Sequence, residues 1–316
     1  MIKVKGKDTL DQLILLLFNV VGFILALMFL YVLGPSSHDA GQYEKIWYFT
    51  NGVGFLDAYL DNRYELGSYF IFWSLAQHLS ATMTFYAFGL IALITKFYVI
   101  KKHYNFPLLV FFIYFVVFAH ILDGNQIRAS LSATIVIYSL CVTPRNSYSY
   151  FLLALLAVLF HYSGIVILIL YFIRAPLLGI ILLIAFGFVF NGLITSFDYF
   201  AFARIWLADP NGNVNLTNSL FLMQTVLAMF CVVFWNNLSD HEKKGAYLNV
   251  FGVVAYIVFI DNAIVAHRIR ELSQLGILAV IFLGDNRLTY VRFVASLCLT
   301  YIFLYNVLYV TGRLLN

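Results

Sequence analysis

Apolar runs about as long as a membrane crossing succeed one another along almost the whole chain. They fall at roughly 12–33, 66–100, 106–122, 127–142, 148–173, 175–194, 218–236, 246–265, 269–284 and 289–311. One helical crossing takes about 20 residues, and the core of a single soluble domain has no room for so many apolar segments. Composition points the same way. Of 316 residues, 63% are hydrophobic and only 11% are charged, against roughly 25% charged in soluble domains. Mean hydropathy is +0.90. The sequence therefore predicts an all-α polytopic integral membrane protein with about 10–11 membrane segments, forming one membrane domain over 1–316. Water-soluble enzymes, disordered chains, disulfide scaffolds and nucleic-acid binders are excluded as readings of the whole chain. The first run, 13–33, exceeds a signal-peptide core and lacks a small-residue cleavage pattern, so it reads as the first membrane helix.

Two runs have the wrong length. The stretch 66–100 is long for one helix and short for two, and it carries Gln77, His78, Ser80 and Thr82 at its middle. The stretch 148–173 carries His161, Tyr162, Ser163 and Gly164 at its centre. Irregular backbone at membrane depth survives only where protein or a water-filled cavity covers it. Broken or re-entrant helices are expected at both places, marking a cavity.

The net charge of +4 follows from the loops rather than from an acidic partner. Lys3, Lys5, Lys7, Lys101, Lys102, Arg145, Lys243, Lys244 and Arg287 all fall on one side if 66–100 crosses once and 148–173 enters and returns. The positive-inside rule makes that side cytoplasmic. The outer loops are then about 34–65 and 195–217, with short outer turns at 123–128 and 266–271. The two longer loops are rich in aromatic residues, which suit either an interfacial belt or platforms for sugars. Cys141, Cys231 and Cys298 lie inside apolar runs without metal-ligand spacing and read as small core residues.

Ionisable groups at membrane depth are costly, so each needs a reason. Arg128 opens the run Ile127-Arg128-Ala129-Ser130-Leu131-Ser132-Ala133 beside Asp123, Asn125 and Gln126. It can grip a phosphate bidentately or pair with Asp123. The small residues after it allow close helix approach. His161 sits within Leu159-Phe160-His161-Tyr162-Ser163-Gly164, at the expected break. It is either a ligand-binding or catalytic group or a buried imidazole bonded to a carbonyl. Ala266-His267-Arg268-Ile269-Arg270-Glu271 places four ionisable groups between two apolar runs. Arg268 and Arg270 cannot face the same way on a helix, so one points to a site and the other to water or Glu271. Arg63 and Glu65 close the first outer loop, and Glu65 also suits a helix N-terminus through the dipole. Asp39, with Tyr43, follows the first run. There is no paired-carboxylate motif, phosphate-binding glycine loop or His/Cys metal spacing, so no metal, nucleotide or other cofactor is expected. Several cations, two carboxylates and a histidine toward one face suit an anionic lipid-linked substrate. Arginines would hold a diphosphate, and a carboxylate or histidine would take a proton from a hydroxyl.

At these residues the sequence resembles the EpsG branch of the Wzy-type polysaccharide polymerases. The matching islands are Asp39 with Tyr43, Arg63-Tyr64-Glu65-Leu66-Gly67, the Ile127-Arg128 turn, Leu159-Phe160-His161-Tyr162-Ser163-Gly164 and Arg268-Ile269. Two positions depart from the pattern. Ala129 stands where glutamine is expected after the arginine, and Gly164 where alanine is commoner. The resemblance implies a glycosyltransferase of the bacterial inner membrane that needs no nucleotide sugar. Its active site faces the periplasm, and the polymer is an O-antigen, capsule or exopolysaccharide. It would transfer a growing glycan from undecaprenyl diphosphate to a sugar hydroxyl of an incoming lipid-linked repeat unit. Implied partners are the lipid-linked oligosaccharide, the bilayer and a chain-length regulator protein. Arg63, Arg128, Arg268, Arg270 and Tyr43 are the expected binding residues. His161, Glu65 and Asp39 are the candidate bases, with His161 favoured and Glu65 orienting the sugar. Competing classes are a flippase or transporter of lipid-linked sugar and a membrane O-acyltransferase.

Overall fold

A computed structural model describes residues 40–62, 65–119, 122–123, 127–142, 148–170, 176–196, 214–283 and 289–315. All regular structure among them is helical, as expected from the composition. Among the described residues, Ala81–His103 is the one helix long and apolar enough to cross a membrane. The run 12–33, Asp39 and Arg63 lie outside the described residues. The chain divides into two compact units, 1–130 and 131–316.

In the first unit, α1 (Ala40–Thr50), α2 (Phe55–Asn62), α3 (Leu66–Ala76), α4 (Ala81–His103) and α5 (Pro107–Tyr114) follow in order. The segment expected as an outer loop is thus helical over α1 and α2. The 66–100 run breaks into α3 and α4 where its polar residues fall. The free backbone groups at that break are met from α1 and the turn after it. Trp47 donates to the Leu79 carbonyl at 2.9 Å, and Asn51 to that of Ala76 at 2.8 Å. Gln77 returns a bond to the Thr50 carbonyl at 2.9 Å and accepts one from the Gly52 amide at 3.2 Å. Gly52 turns the chain at φ +73°, a conformation that strains residues with a Cβ. Ser80 caps α4 by accepting from the Met83 amide. Its last turn carries Lys101, Lys102 and His103, which complement the negative end of the helix. These cations lie in the helix rather than in the expected loop. Pro107 opens α5, which passes into a π-turn at Phe115–Ala119. Helix α6 (Ile127–Val142) runs across the boundary at 130.

In the second unit, α7 (Tyr148–Phe160) ends at the other expected break. His161 is extended, with φ −162°, and a 3-10 turn (Tyr162–Ile165) leads into α8 (Val166–Leu170). Then come α9 (Pro176–Ser196), α10 (Ser219–Val233), α11 (Asp240–Val258), α12 (Ala263–Ser273), α13 (Gly276–Phe282) and α14 (Tyr290–Leu315). Helix α11 is the core: 13 of its 19 residues are buried, and α8, α9, α10, α12 and α13 pack on it. It crosses α13 where Gly245 and Gly276 each meet the other's carbonyl oxygen, the close approach that small residues permit. The structure corrects two expected boundaries. Lys243 and Lys244 already lie within α11, whose start is set by a capping box between Ser239 and Glu242. The expected outer turn at 266–271 is the middle of α12.

Candidate functional site

Arg128 stands in the first turn of α6, and the Glu65 carboxylate reaches it from the start of α3. Arg128 Nη1 donates to Glu65 Oε2 at 2.6 Å. Glu65 is 3% exposed while the Arg128 side chain is 21% exposed. One carboxylate is therefore buried while the guanidinium it holds still reaches the surface. Its partner is thus Glu65 and not Asp123, the alternative to a phosphate.

Asp123 has another partner, absent from the sequence reading. Lys96, fully buried in α4, donates to Asp123 Oδ1 at 2.7 Å and to Ser130 Oγ at 2.5 Å. The Tyr114 hydroxyl donates to Asp123 Oδ2 at 2.6 Å, and Ser130 hydrogen-bonds Oδ1. Lys96 thus ties together the two residues that flank Arg128 in sequence. A buried charge pair holds only when its remaining hydrogen-bond capacity is met, and here Tyr114 and Ser130 supply it. The available signal was a lysine within the apolar stretch of α4, ahead of its basic last turn. Tyr43 is buried beside the Phe72 and Phe85 rings, at centroid distances of 6.1 and 5.6 Å. Its ring belongs to the aromatic core and offers no exposed platform.

In the second unit the turn bearing His161 packs against α12, the helix of Arg268 and Arg270. His161 is half-buried and Ser163 buried. The two arginines point apart. Arg268 is partly exposed and pairs with Glu271 at 3.8 Å. Arg270 is buried, with its guanidinium 4.7 Å from the Tyr256 ring centre. His267 meets the same ring edge-on at 5.2 Å. A second buried ion pair went unread in the sequence. Arg292 Nε donates to Glu242 Oε1 at 2.7 Å while Glu242 also caps α11.

The turn explains one departure from the family pattern. A Cβ on Gly164 would lie 2.5 Å from both the Ala157 carbonyl oxygen and Ser132 Oγ. The backbone oxygen has no room to yield. Gly164→Ala is expected to lower stability by about 1–3 kcal/mol, as overpacking does. Thermal unfolding of the purified protein measures it, and an unchanged midpoint would show that the turn relaxes freely.

With this geometry in view, the comparisons give one match. The model of the EpsG family covers residues 15–315, nearly the whole chain. No curated protein and no solved structure gives a significant match.

Proposed function

Because the chain belongs to the EpsG family, a Wzy-like polymerase family of membrane proteins in polysaccharide biosynthesis, we propose that it polymerises lipid-linked oligosaccharides. In this reading it is a multi-pass protein of the bacterial inner membrane whose site faces the periplasm. It takes no nucleotide sugar. The family match over 15–315 carries the proposal. Support comes from the guanidinium of Arg128, which a buried carboxylate holds in place while leaving it partly exposed.

The reaction joins two substrates that each bear a lipid diphosphate. A hydroxyl oxygen of the incoming unit attacks the anomeric carbon at the reducing end of the growing glycan. That carbon's bond to the diphosphate oxygen breaks, and the undecaprenyl diphosphate leaves with the electron pair. The hydroxyl proton passes to a base, His161 in this proposal. Arg268 stabilises the charge growing on the leaving diphosphate through charge-assisted hydrogen bonds, and Arg128, in the other unit, is a further diphosphate-binding candidate. Glu65 fixes Arg128 and helps orient the sugar. Arg63 and Asp39 remain candidates from the family pattern.

Purified protein supplied with a lipid-linked repeat unit, with chelator present, should yield a ladder of lengthening glycans on a gel. Vesicles that translocate the unit without lengthening it would instead indicate a flippase.

Arg128→Lys keeps the charge and loses the forked donors. Each charge-assisted hydrogen bond lost is worth about 1.5–3 kcal/mol, so polymerisation should fall by roughly 10- to 100-fold with protein levels maintained. A normal ladder from this variant would rule out a forked grip on phosphate.

The charge pattern also sets an orientation. In a background free of native cysteines, a cysteine at 268 should react with an impermeant maleimide on intact cells. One at 101 should react only after permeabilisation. Labelling at 101 from outside would invert the scheme.

A further inference from the structure

Between Lys45 and Asp61 the chain carries a single charge, Asp57. It lies in the first turn of α2, where the helix dipole favours a carboxylate. This stretch is a helical hairpin made of the second half of α1, the turn 51–54 and α2. Its outward face is apolar. Tyr48, Phe49, Leu56 and Leu60 are 65–70% exposed, and Val53 in the turn is exposed as well. The face continues onto α3 through the exposed Leu66 and Phe70, and the Phe70 ring meets Phe55 edge-on at 5.6 Å. The first half of α1 instead turns Gln42, Glu44 and Lys45 outward. The hairpin is therefore polar at its base and apolar from there to its tip.

Neither helix can cross a bilayer. Their 11 and 8 residues span about 16 and 12 Å at 1.5 Å per residue, against a hydrocarbon core of about 30 Å. Water does not suit the face either, because a contiguous exposed apolar patch of this kind marks a contact surface. Sugars fit it poorly: Val53, Leu56 and Leu60 offer neither a ring to stack on nor a hydrogen-bonding group.

The turn itself indicates the medium. Irregular backbone facing water is hydrated, whereas in an apolar medium protein groups must satisfy it. The amides of Asn51, Gly52 and Val53 and the carbonyls of Thr50, Val53 and Gly54 all have partners within the protein. Side chains at the end of α3 supply three of these bonds. Gln77 accepts from Gly52 and donates to Thr50, and Trp73 Nε1 donates to the Val53 carbonyl at 2.9 Å. Asn51, the polar side chain of the turn, directs its amide to the Ala76 carbonyl.

We propose that residues 46–60 form a membrane-inserted hairpin that dips its apolar face into the boundary between lipid headgroups and acyl chains. Aromatic and aliphatic side chains on one face of a short helix anchor at that depth. The charge pattern assigns it to the outer leaflet. The inference rests on the membrane nature of the family and not on the polymerisation chemistry. Glu65 follows the last residue of α2 by three positions, so the insertion holds the Glu65–Arg128 pair at the membrane surface.

The test is spin-label accessibility in the full-length protein, free of native cysteines and held in phospholipid nanodiscs. Labels on Phe49→Cys and Leu56→Cys should collide readily with oxygen, which concentrates in lipid, and little with a water-soluble nickel chelate. Labels on Gln42→Cys and Glu44→Cys should show the reverse. Equal nickel accessibility at 42, 49 and 56 would place the hairpin in water and overturn the proposal. Low accessibility to both reagents at 49 and 56 would mean that protein covers the face, and overturns it too. A photoreactive phenylalanine analogue at 49 or 56 in the native-cysteine protein gives a second reading, should the cysteine-free variants not fold. It should crosslink to phospholipid. Crosslinks confined to polypeptide, whether this chain, a second copy or another protein, would reject the lipid contact. Neither readout depends on whether a glycan ladder forms, so the polymerase reading stands or falls separately.

Discussion

Lys96→Met is expected to destabilise the protein by about 3–5 kcal/mol, the usual penalty for removing one partner of a buried ion pair. The methionine fills much of the lysine's volume, so packing loss contributes little. What remains is the Asp123 carboxylate, fully buried and deprived of the ammonium 2.7 Å away. Tyr114 and Ser130 still bond it, but neither carries a compensating charge. The variant should accumulate poorly in membranes and unfold at a clearly lower temperature in detergent. Adding Asp123→Asn to Lys96→Met removes the stranded charge and keeps an amide for Tyr114 and Ser130. That double variant should recover most of the loss. If Lys96→Met unfolds like the wild type, the Lys96–Asp123 pair is not the buried contact described. A double variant no better than the single one would place the cost in packing. Asp123 and Ser130 also flank Arg128 in the chain. Any Lys96→Met protein that survives should therefore need more substrate to reach half-maximal rate.

The helix breaks were legible because polar residues interrupt apolar runs. Gln77 to Ser80 and His161 to Gly164 fall in runs of the wrong length, and both interrupt the α-helix, the second with an extended His161 and a 3-10 turn. The opposed directions of Arg268 and Arg270 followed from their spacing on a helix. Partners far apart in the chain were not legible. Glu65 and Arg128 are 63 positions apart, Lys96 and Asp123 27, Glu242 and Arg292 50. Nothing in a local pattern joins them, and proximity in sequence offered Arg128 only Asp123 as an alternative partner. The density of charge at 266–271 suggested a turn. The buried face of α12 instead runs through Ala263, Ala266, Arg270 and Ser273, a three-to-four-residue spacing that is helical even with an arginine in it. A buried arginine hides that signal from any scale that scores it as polar.

His161→Gln should lower the turnover number by about 10²- to 10⁴-fold, the range a positioned general base contributes, with little change in the substrate concentration giving half-maximal rate. The break in the helix gives the imidazole its place. His161 heads the 3-10 turn with an extended backbone, its amide bonded to the Ala157 carbonyl at 2.9 Å and its carbonyl to the Gly164 amide at 2.8 Å. The backbone there is fixed on both sides, and the turn packs on the arginine-bearing α12. Glu65 is the rival base, but its Oε2 is taken up by Arg128. A carboxylate that gave up that ion pair to accept a proton would also loosen the guanidinium proposed to bind phosphate. An imidazole base carries no such conflict, because its neutral form is the one that accepts. The rate should accordingly fall on acidification as the imidazole becomes charged, and that limb should vanish in His161→Gln. Glutamine keeps a polar group of similar reach, so stability and substrate binding should stay near wild type. Full turnover in His161→Gln together with its loss in Glu65→Gln would transfer the base to Glu65. In that event, the ion pair with Arg128 would have to open during each catalytic cycle.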